Sequence, residues 1–143
     1  MYENLNLIFF TMASIFSKII KGEIPCHKIA EDENYFAFLD IFPLATGHVL
    51  VIPKKEVDYI FDLDDETLGG LHVFSKKVAL AIEKAIPCLR IGTAVVGLEV
   101  PHAHIHLVPL NSMQDINFDK PKLKPSQEEL EKTAEKIRGF LEI

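Results

Sequence analysis

Three histidines alternate with small or aliphatic residues in the run His102-Ala103-His104-Ile105-His106-Leu107-Val108. Alternation is the period of a β-strand, on which successive side chains point to opposite faces. The pattern therefore predicts a strand over 102–108 that presents three imidazoles on one face and the aliphatic residues on the other. Half of the six histidines of the chain lie in these positions. Because packing gives no reason to place three polar rings on one face, we interpret the row as a functional site.

Two kinds of chemistry fit such a row of imidazoles. Side chains two positions apart on a strand are separated by about 6.6 Å, so His102 and His104 could share a zinc ion. Alternatively, one imidazole acts as a nucleophile while its neighbours orient it and handle protons, since histidine has a reference pKa of about 6.5. No Cys, Asp or Glu stands at ligand spacing beside the row, which favours nucleophilic catalysis. In the remaining interpretation, the three histidines occupy exposed strand positions and have no function.

Three further segments accompany the histidine row. They are Ile15–Pro25 (IFSKIIKGEIP), Ala37–Ile41 (AFLDI) and Gly47–Lys55 (GHVLVIPKK). Together with the pattern His-φ-His-φ-His-φ-φ, where φ is apolar, these segments resemble the histidine triad (HIT) superfamily of nucleotide hydrolases and transferases. Within that superfamily the chain looks like the Hint-like nucleoside phosphoramidases and the bacterial HIT family proteins. The resemblance covers roughly residues 14 to 110.

The resemblance implies a role for each histidine of the candidate catalytic group. His104 matches the nucleophile that attacks the α-phosphorus and forms a nucleotidyl-histidine intermediate. His106 matches the position near the phosphate and the leaving group, and His102 the position that buttresses the centre. His48, although distant in sequence, matches a histidine that lies close to the triad.

The resemblance also implies a nucleotide pocket. Asp40 matches the contact to the ribose, with Ile41 beside it, and an ionised carboxylate can accept hydrogen bonds from both ribose hydroxyls. Ile15, Phe16, Ile19 and Phe38 match the apolar walls around the nucleobase. Without the resemblance, these four residues would be ordinary core and Asp40 would be a turn cap at a strand end.

The segment before the triad departs from the family pattern. Many members carry an Asn-Gly turn about ten residues upstream and a Gln after the glycine that corresponds to Gly97, but here the residues are Ile91-Gly92-Thr93-Ala94 and Gly97-Leu98-Glu99. We expect Thr93 and backbone N–H groups near Gly97 to contact the phosphate instead, and Glu99 to point away or to pair with a base. Loss of one hydrogen bond to a charged group costs about 1.5–3 kcal/mol, which slows turnover by about 10- to 100-fold.

A second departure concerns metal binding. Some relatives hold a structural zinc with a Cys-x-x-Cys pair at the first helix, a His after the paired lysines and one triad histidine. The corresponding residues here are Ser14, Ser17 and Glu56, and serine hydroxyls are poor zinc ligands compared with thiolates. We therefore predict no structural zinc and no other metal or cofactor.

Composition limits the remaining classes of function. The length of 143 residues suits one domain, and the net charge of −6 argues against general nucleic-acid binding. Only two cysteines, Cys26 and Cys88, are present, which favours reduced thiols and a cytoplasmic location. The apolar run Leu5–Phe10 lacks a cationic flank and is too short to span a bilayer, so we expect no association with membranes.

Local patterns predict the elements that position these residues. A short helix should begin after Ser14 and end at Gly22. Asp64 should cap a long helix, and Ser126 with Glu129 forms the capping box of a final helix. Apolar residues recur at helical spacing in both, at Leu68, Leu71, Val78 and Ile82 and at Leu130, Ala134, Ile137 and Leu141. Besides the triad strand, strands are predicted at Lys28–Glu31, Tyr35–Leu39, His48–Ile52 and Leu89–Val96.

Mostly consecutive strands with few intervening helices favour an α+β domain with an antiparallel sheet. The resemblance implies that helices pack on one side of that sheet and that the protein is a homodimer. We divide the chain into an N-terminal extension (1–13), a HIT domain (14–110) and a C-terminal tail with the final helix (111–143).

These observations predict a nucleotide-binding hydrolase or transferase. It should cleave at the α-phosphate of a purine nucleoside monophosphate derivative of the AMP type, with a phosphoramidate as the preferred substrate. One alternative is asymmetric cleavage of dinucleoside polyphosphates, but that branch usually ends the triad motif with Pro-Arg, whereas here Leu110 follows Pro109. Another alternative is a nucleotide-binding sensor or scaffold with weak catalysis.

Overall fold

The fold, seen in a computed structural model that describes residues 13–142, is built on one five-stranded sheet in which every pairing is antiparallel. The strands are β1 (Lys28–Glu31), β2 (Tyr35–Leu39), β3 (Val49–Pro53), β4 (Arg90–Ala94) and β5 (Ile105–Leu110), in the order β1-β2-β3-β5-β4. The helices are α1 (Ile15–Ile20), α2 (Asp65–Ala85) and α3 (Gln127–Arg138), with short 3₁₀ turns at Ile60–Asp62 and Met113–Ile116. The predicted single-domain α+β fold is confirmed.

Residues 1–12, which include the apolar run and most of the expected N-terminal extension, lie outside the described residues, as does Ile143. Between residues 13 and 142, no helix has both the length and the apolar character needed to cross a membrane.

The helices begin where the sequence predicts. The Ser14 hydroxyl accepts a hydrogen bond from Ser17 N–H at 3.0 Å and caps α1, and Asp64 caps α2 by accepting from Thr67 N–H at 2.7 Å. Ser126 and Glu129 form the reciprocal capping box of α3. Each cap satisfies backbone donors that have no partner within the helix.

Alternation along the strands divides the sheet into two faces. On one face, α2 and α3 cover side chains of β2, β3 and β5, namely Ala37, Leu39, Val49, Val51, Ile105 and Leu107. On the other face, α1 contributes Phe16 and Ile19 to a smaller cluster with Phe36, Phe38, Leu50 and Ile52. The two longer helices thus share one side as expected, whereas α1 packs on the opposite side.

Helix α3 packs on α2 and on the edge strand β1, which the sequence did not indicate. Its residues Leu130, Ala134 and Ile137 are buried in the main core. Polar contacts fix its position over β1, because Arg138 donates to the Lys28 carbonyl at 2.7 Å and the ring of His27 pairs with Glu131 at 2.8 Å.

The predicted strand over 102–108 is wrong in its boundaries, since β5 begins at Ile105 and continues to Leu110. The backbone before Ile105 is engaged outside the sheet, because Ala103 N–H donates to the Val57 carbonyl at 2.7 Å. Pro109 is tolerated inside β5 because the pairing of β5 with β3 reaches only Leu107, so no partner on that side needs an N–H at position 109.

Candidate active site

Four histidines converge on the face of the sheet that carries α1. His48, at the start of β3, and the triad histidines His102, His104 and His106 are all buried. The ring centroids of His104 and His106 are 4.9 Å apart, and those of His48 and His106 are 5.2 Å apart. The structure therefore brings together the whole candidate catalytic group, including the member that is distant in sequence.

The hydrogen bonds of His104 define which of its nitrogens is free. Its Nδ1 lies 2.7 Å from the carbonyl oxygen of His102. A carbonyl only accepts, so Nδ1 carries the proton and donates. In the neutral ring, Nε2 then holds an unprotonated lone pair, which is the requirement for a nucleophile.

A second chain of hydrogen bonds orients His106. The backbone N–H of Leu44 donates to His48 Nδ1 at 3.0 Å, which places the proton of His48 on Nε2. That Nε2–H faces His106 Nδ1 at 2.9 Å and donates to it. His106 therefore carries its own proton on Nε2, where it can donate to a ligand.

The turn before His48 is shaped by Gly47. Its φ of +92° lies in the region that favours glycine, and a Cβ at this position would be 2.9 Å from Ile86 Cγ1. Any other residue at position 47 would be strained in this backbone conformation and would push against the side chain of Ile86, just after the end of α2.

The environment keeps these imidazoles neutral. Burial, with the nearby His106 and Lys122 charges, lowers the pKa of His48 to about 3. Burial, with His104 and Lys122, lowers the pKa of His106 to about 4. Burial also lowers the pKa of His102 and of His104 below the ordinary value. At neutral pH the group thus offers lone pairs and N–H donors rather than cations.

Acidification is expected to destabilise the fold through these histidines. The pKa of His106 is about 4 in the folded chain against 6.5 for the free group, so the unfolded chain binds the proton first. The contribution of His106 to the free energy of unfolding is therefore fully present above pH 6.5. About 3 kcal/mol of it is lost as the pH falls towards 4. Urea unfolding at a series of pH values measures the loss. The variant His106→Phe should show a shallower pH dependence, and an unchanged one would contradict the assignment.

Asp40 lies directly after β2, beside His48. One carboxylate oxygen accepts from Phe42 N–H at 2.9 Å, as a turn-capping Asp does, and the other lies 3.8 Å from His48 Nε2. Burial raises the pKa of Asp40, and the hydrogen bond from Phe42 and the charge of Lys122 oppose that effect. The residue thus caps its turn and also reaches the histidine group.

Three of the residues expected around the nucleobase form a buried wall beside the triad. Phe16, Ile19 and Phe38 belong to one cluster, and the ring of Phe16 packs edge-on against Phe38 at 5.4 Å and against His104 at 5.0 Å. Ile15 and Ile41 are exposed, with 55% and 44% of their surfaces accessible.

The residues expected near the phosphate are not all brought to the triad. Thr93 is in register with Leu107, whose side chain faces α2. Cross-strand partners share a face, so the side chain of Thr93 points away from the histidines. The expected contact of Thr93 with phosphate therefore fails for its side chain.

Gly97 and His104 line one cavity of about 580 Å³. Glu99 is exposed, and its negative charge raises the pKa of His104, which partly opposes the effect of burial.

Two residues of the C-terminal tail that the sequence did not indicate also lie at the site. The ring of Phe118 packs edge-on against His106 with centroids 4.8 Å apart. Lys122 Nζ lies 5.8 Å from the centre of the Phe118 ring, and its charge helps to lower the pKa of His106. The stretch around them has neither helical nor strand periodicity, so the sequence carries no signal that it folds onto the triad.

Metal binding by the histidine row is not favoured by this geometry. His102 Nε2 and His104 Nδ1 each face a backbone carbonyl and so carry the ring protons. The other nitrogen of His102 faces the Ser14 hydroxyl at 2.8 Å, which occupies its lone pair. Among the described residues, the one group that could hold an ion is Asp40, His48 and His106, whose donor atoms lie within 4.8 Å of one another. In that group the His48 proton already lies between the two facing nitrogens.

The chain is similar to proteins of one family over most of its length. A family model described as HIT domain matches residues 21–113. Adenosine 5'-monophosphoramidase hnt1 of Schizosaccharomyces pombe is 37% identical over 128 residues, which cover 88% of this chain and 96% of that protein. Adenosine 5'-monophosphoramidase HNT1 of Saccharomyces cerevisiae is 41% identical over 119 residues, 76% of this chain and 75% of the relative. A solved structure of a Hit-like protein from Bartonella henselae superposes with a TM-score of 0.78 at 35% identity, covering 90% and 96% of the two chains.

Proposed function

Because the chain belongs to the HIT domain family, we propose that it is a nucleotide hydrolase or transferase that cleaves at the α-phosphate of purine nucleoside monophosphate derivatives. An adenosine phosphoramidate is the preferred substrate, since two relatives carry the name adenosine 5'-monophosphoramidase. The observation that carries the proposal is the hydrogen bond from His104 Nδ1–H to the His102 carbonyl, which leaves Nε2 free for attack.

In the first step, the lone pair of His104 Nε2 forms a bond to phosphorus and the P–N bond of the substrate breaks. The electron pair of that bond goes to the leaving nitrogen, which takes a proton from water. The ring of His104 gains positive charge as it becomes nucleotidylated, and the His102 carbonyl, which accepts its Nδ1–H, stabilises that charge. His106 Nε2–H donates a hydrogen bond to the phosphate oxygens, where negative charge is present throughout the step.

In the second step, water attacks phosphorus and the P–Nε2 bond breaks. Its electron pair returns to His104, the nucleoside monophosphate leaves, and the proton of the attacking water passes to solvent. The enzyme thus ends in the neutral state that burial of the histidine group favours.

The remaining site residues bind and orient the substrate. Phe16, Ile19 and Phe38, together with the exposed Ile15, contact the purine, and Asp40, with Ile41 beside it, accepts from the ribose hydroxyls. Because the side chain of Thr93 faces the other side of the sheet, the phosphate contacts that we assign to this segment come from the backbone near Gly97.

Single-turnover assays with an adenosine phosphoramidate and a dinucleoside polyphosphate, measured side by side, test this function. The proposal predicts faster release of AMP from the phosphoramidate. Faster cleavage of the dinucleotide would assign the chain to polyphosphate hydrolysis instead. Binding of AMP in a calorimeter without turnover of either substrate would favour a nucleotide sensor.

We further propose a homodimer that forms along β4. In the described part of the chain, β4 pairs with β5 alone, so its other edge is open. The cavity that His104 and Gly97 line lies close to this edge, and its apolar lining residues Tyr59, Phe61, Val95 and Val96 are all exposed. Strand edges and apolar patches of this kind pair readily with another chain. The two unpaired cysteines, Cys26 and Cys88, fit a reducing compartment such as the cytoplasm.

A further inference from the structure

Polar side chains from three distant parts of the chain meet behind the triad. The Ser14 hydroxyl lies 2.8 Å from His102 Nδ1. One oxygen of Glu56 accepts from the backbone N–H of Ser14 at 2.6 Å and from the Ser17 hydroxyl at 2.7 Å. These contacts join the start of α1, the segment after β3 and the loop that leads into β5.

The direction of each hydrogen bond in this network follows from its chemistry. His102 Nε2 faces the carbonyl of Pro53 at 2.8 Å, so it carries the ring proton and donates. His102 Nδ1 is then bare and accepts the proton of the Ser14 hydroxyl, whose oxygen in turn accepts from Ser17 N–H. Both ring nitrogens of this buried histidine are thus satisfied by fixed partners.

Glu56 holds the serines in place as a carboxylate. Partial burial raises its pKa, but hydrogen bonds from Ser17 and Ser14 outweigh that effect and keep the pKa below the ordinary value. At neutral pH, the two donors at the start of α1 therefore face a negative charge. Hydrogen bonds to an ionised acceptor are the stronger kind.

His102 connects this network to His104. Its ring is held by Ser14 and by the Pro53 carbonyl, while its own carbonyl accepts the Nδ1–H of His104. Phe16, two residues after Ser14, packs edge-on against the rings of both His102 and His104. Movement of the start of α1 would therefore move both the wall of the pocket and the partner of the nucleophile.

We infer that Ser14 and Glu56 are positioning residues. They act through His102 to keep His104 Nε2 directed at the phosphorus, and they hold the start of α1 in place beside the triad. This inference rests on the proposed function, because it concerns the orientation of His104 as the nucleophile. A displacement of about 1 Å at a reacting centre can cost about 100-fold in rate. The loss should appear mainly in kcat, with a smaller rise in KM because Phe16, which also forms part of the pocket wall, moves with α1.

The experiment compares Ser14→Ala with Ser126→Ala. Both serines are helix caps whose hydroxyl accepts from the N–H three residues later. Ser126, however, caps α3, and in the described part of the chain it forms its side-chain hydrogen bonds with Glu129 and none with a histidine of the triad. Ser14→Ala is expected to lower kcat by about 10- to 100-fold, and Ser126→Ala by less than about twofold. Ser14→Thr keeps the hydroxyl and should restore most of the rate. Glu56→Gln, which keeps an acceptor but removes the charge, should give an intermediate loss of kcat.

Nitrogen-15 NMR of the imidazoles gives a readout that does not depend on turnover. The wild type should show His102 protonated at Nε2 and His104 at Nδ1, and Ser14→Ala and Glu56→Gln should broaden or shift the Nδ1–H signal of His104. Equal rate losses in Ser14→Ala and Ser126→Ala, or an unchanged His104 signal in both site variants, would overturn the inference. A wild type that turns over no nucleotide would refute the proposed function, while the NMR comparison would still decide whether the network holds His104.

Discussion

Replacement of His104 by alanine is expected to lower the single-turnover rate on an adenosine phosphoramidate by about 10⁴-fold or more. Within residues 13–142, the variant loses the only imidazole that donates from Nδ1–H to a backbone carbonyl and so keeps a lone pair on Nε2. Removal of a nucleophile removes the covalent route altogether, so the remaining rate is that of direct attack by water in the same pocket. Rapid-quench measurements with enzyme in excess give this rate directly.

Binding of AMP is the control for His104→Ala. The wall formed by Phe16, Ile19 and Phe38 does not depend on the imidazole, so the dissociation constant should change by less than about tenfold. A variant that still turns over within tenfold of the wild-type rate would exclude His104 as the nucleophile.

The second large effect is expected at the pair His48 and His106. His106→Phe removes the Nε2–H that we propose to donate to the phosphate, and loss of one such donor costs about 10²- to 10³-fold in kcat. His48→Phe removes the partner that fixes the proton of His106, since the two nitrogens lie 2.9 Å apart. It should cost about 10- to 100-fold, because the His106 ring can then also adopt the other tautomer.

A double-mutant cycle shows whether the two histidines act as one unit. If His48 works only through His106, the double variant should be no slower than His106→Phe alone. Rate losses that multiply would mean that His48 contacts the substrate independently. Thermal unfolding of each variant should accompany the kinetics, since His48→Phe also leaves the Leu44 N–H without its acceptor.

The sequence predicted the helices and the sheet because their signals are local. Caps at Ser14, Asp64 and Ser126 act within one turn, so the residue types alone show where each helix begins. Strand alternation likewise placed Ala103, Ile105 and Leu107 in the core opposite the histidines. The side on which α1 packs is not local information, because it depends on the partners that Phe16 finds after folding.

At the triad, side-chain hydrogen bonds override the strand pattern. His102 and His104 alternate as strand residues do, but their rings bond to the Pro53 carbonyl and to the His102 carbonyl, and the backbone there leaves the sheet. The register between β4 and β5 determines the face on which the Thr93 side chain lies, since a shift of one position would have turned it towards the histidines. A single sequence does not specify that register.

The parts of the site that the sequence did not indicate come from contacts between distant segments. Phe118 reaches His106 from a stretch with no periodic pattern. The resemblance placed Ser14, Ser17 and Glu56 at the positions of a zinc site in some relatives, but it did not indicate the hydrogen bonds that join these residues behind His102.

The covalent state of His104 during turnover shows whether this ring is the nucleophile. The enzyme is mixed with excess adenosine phosphoramidate, quenched in base within the first turnover, digested and mapped by mass spectrometry. We expect an adenylyl group on His104 that forms and decays at rates matching the release of AMP. An adenylyl group on His106 or His48, or AMP release with no modified histidine at any time, would contradict it.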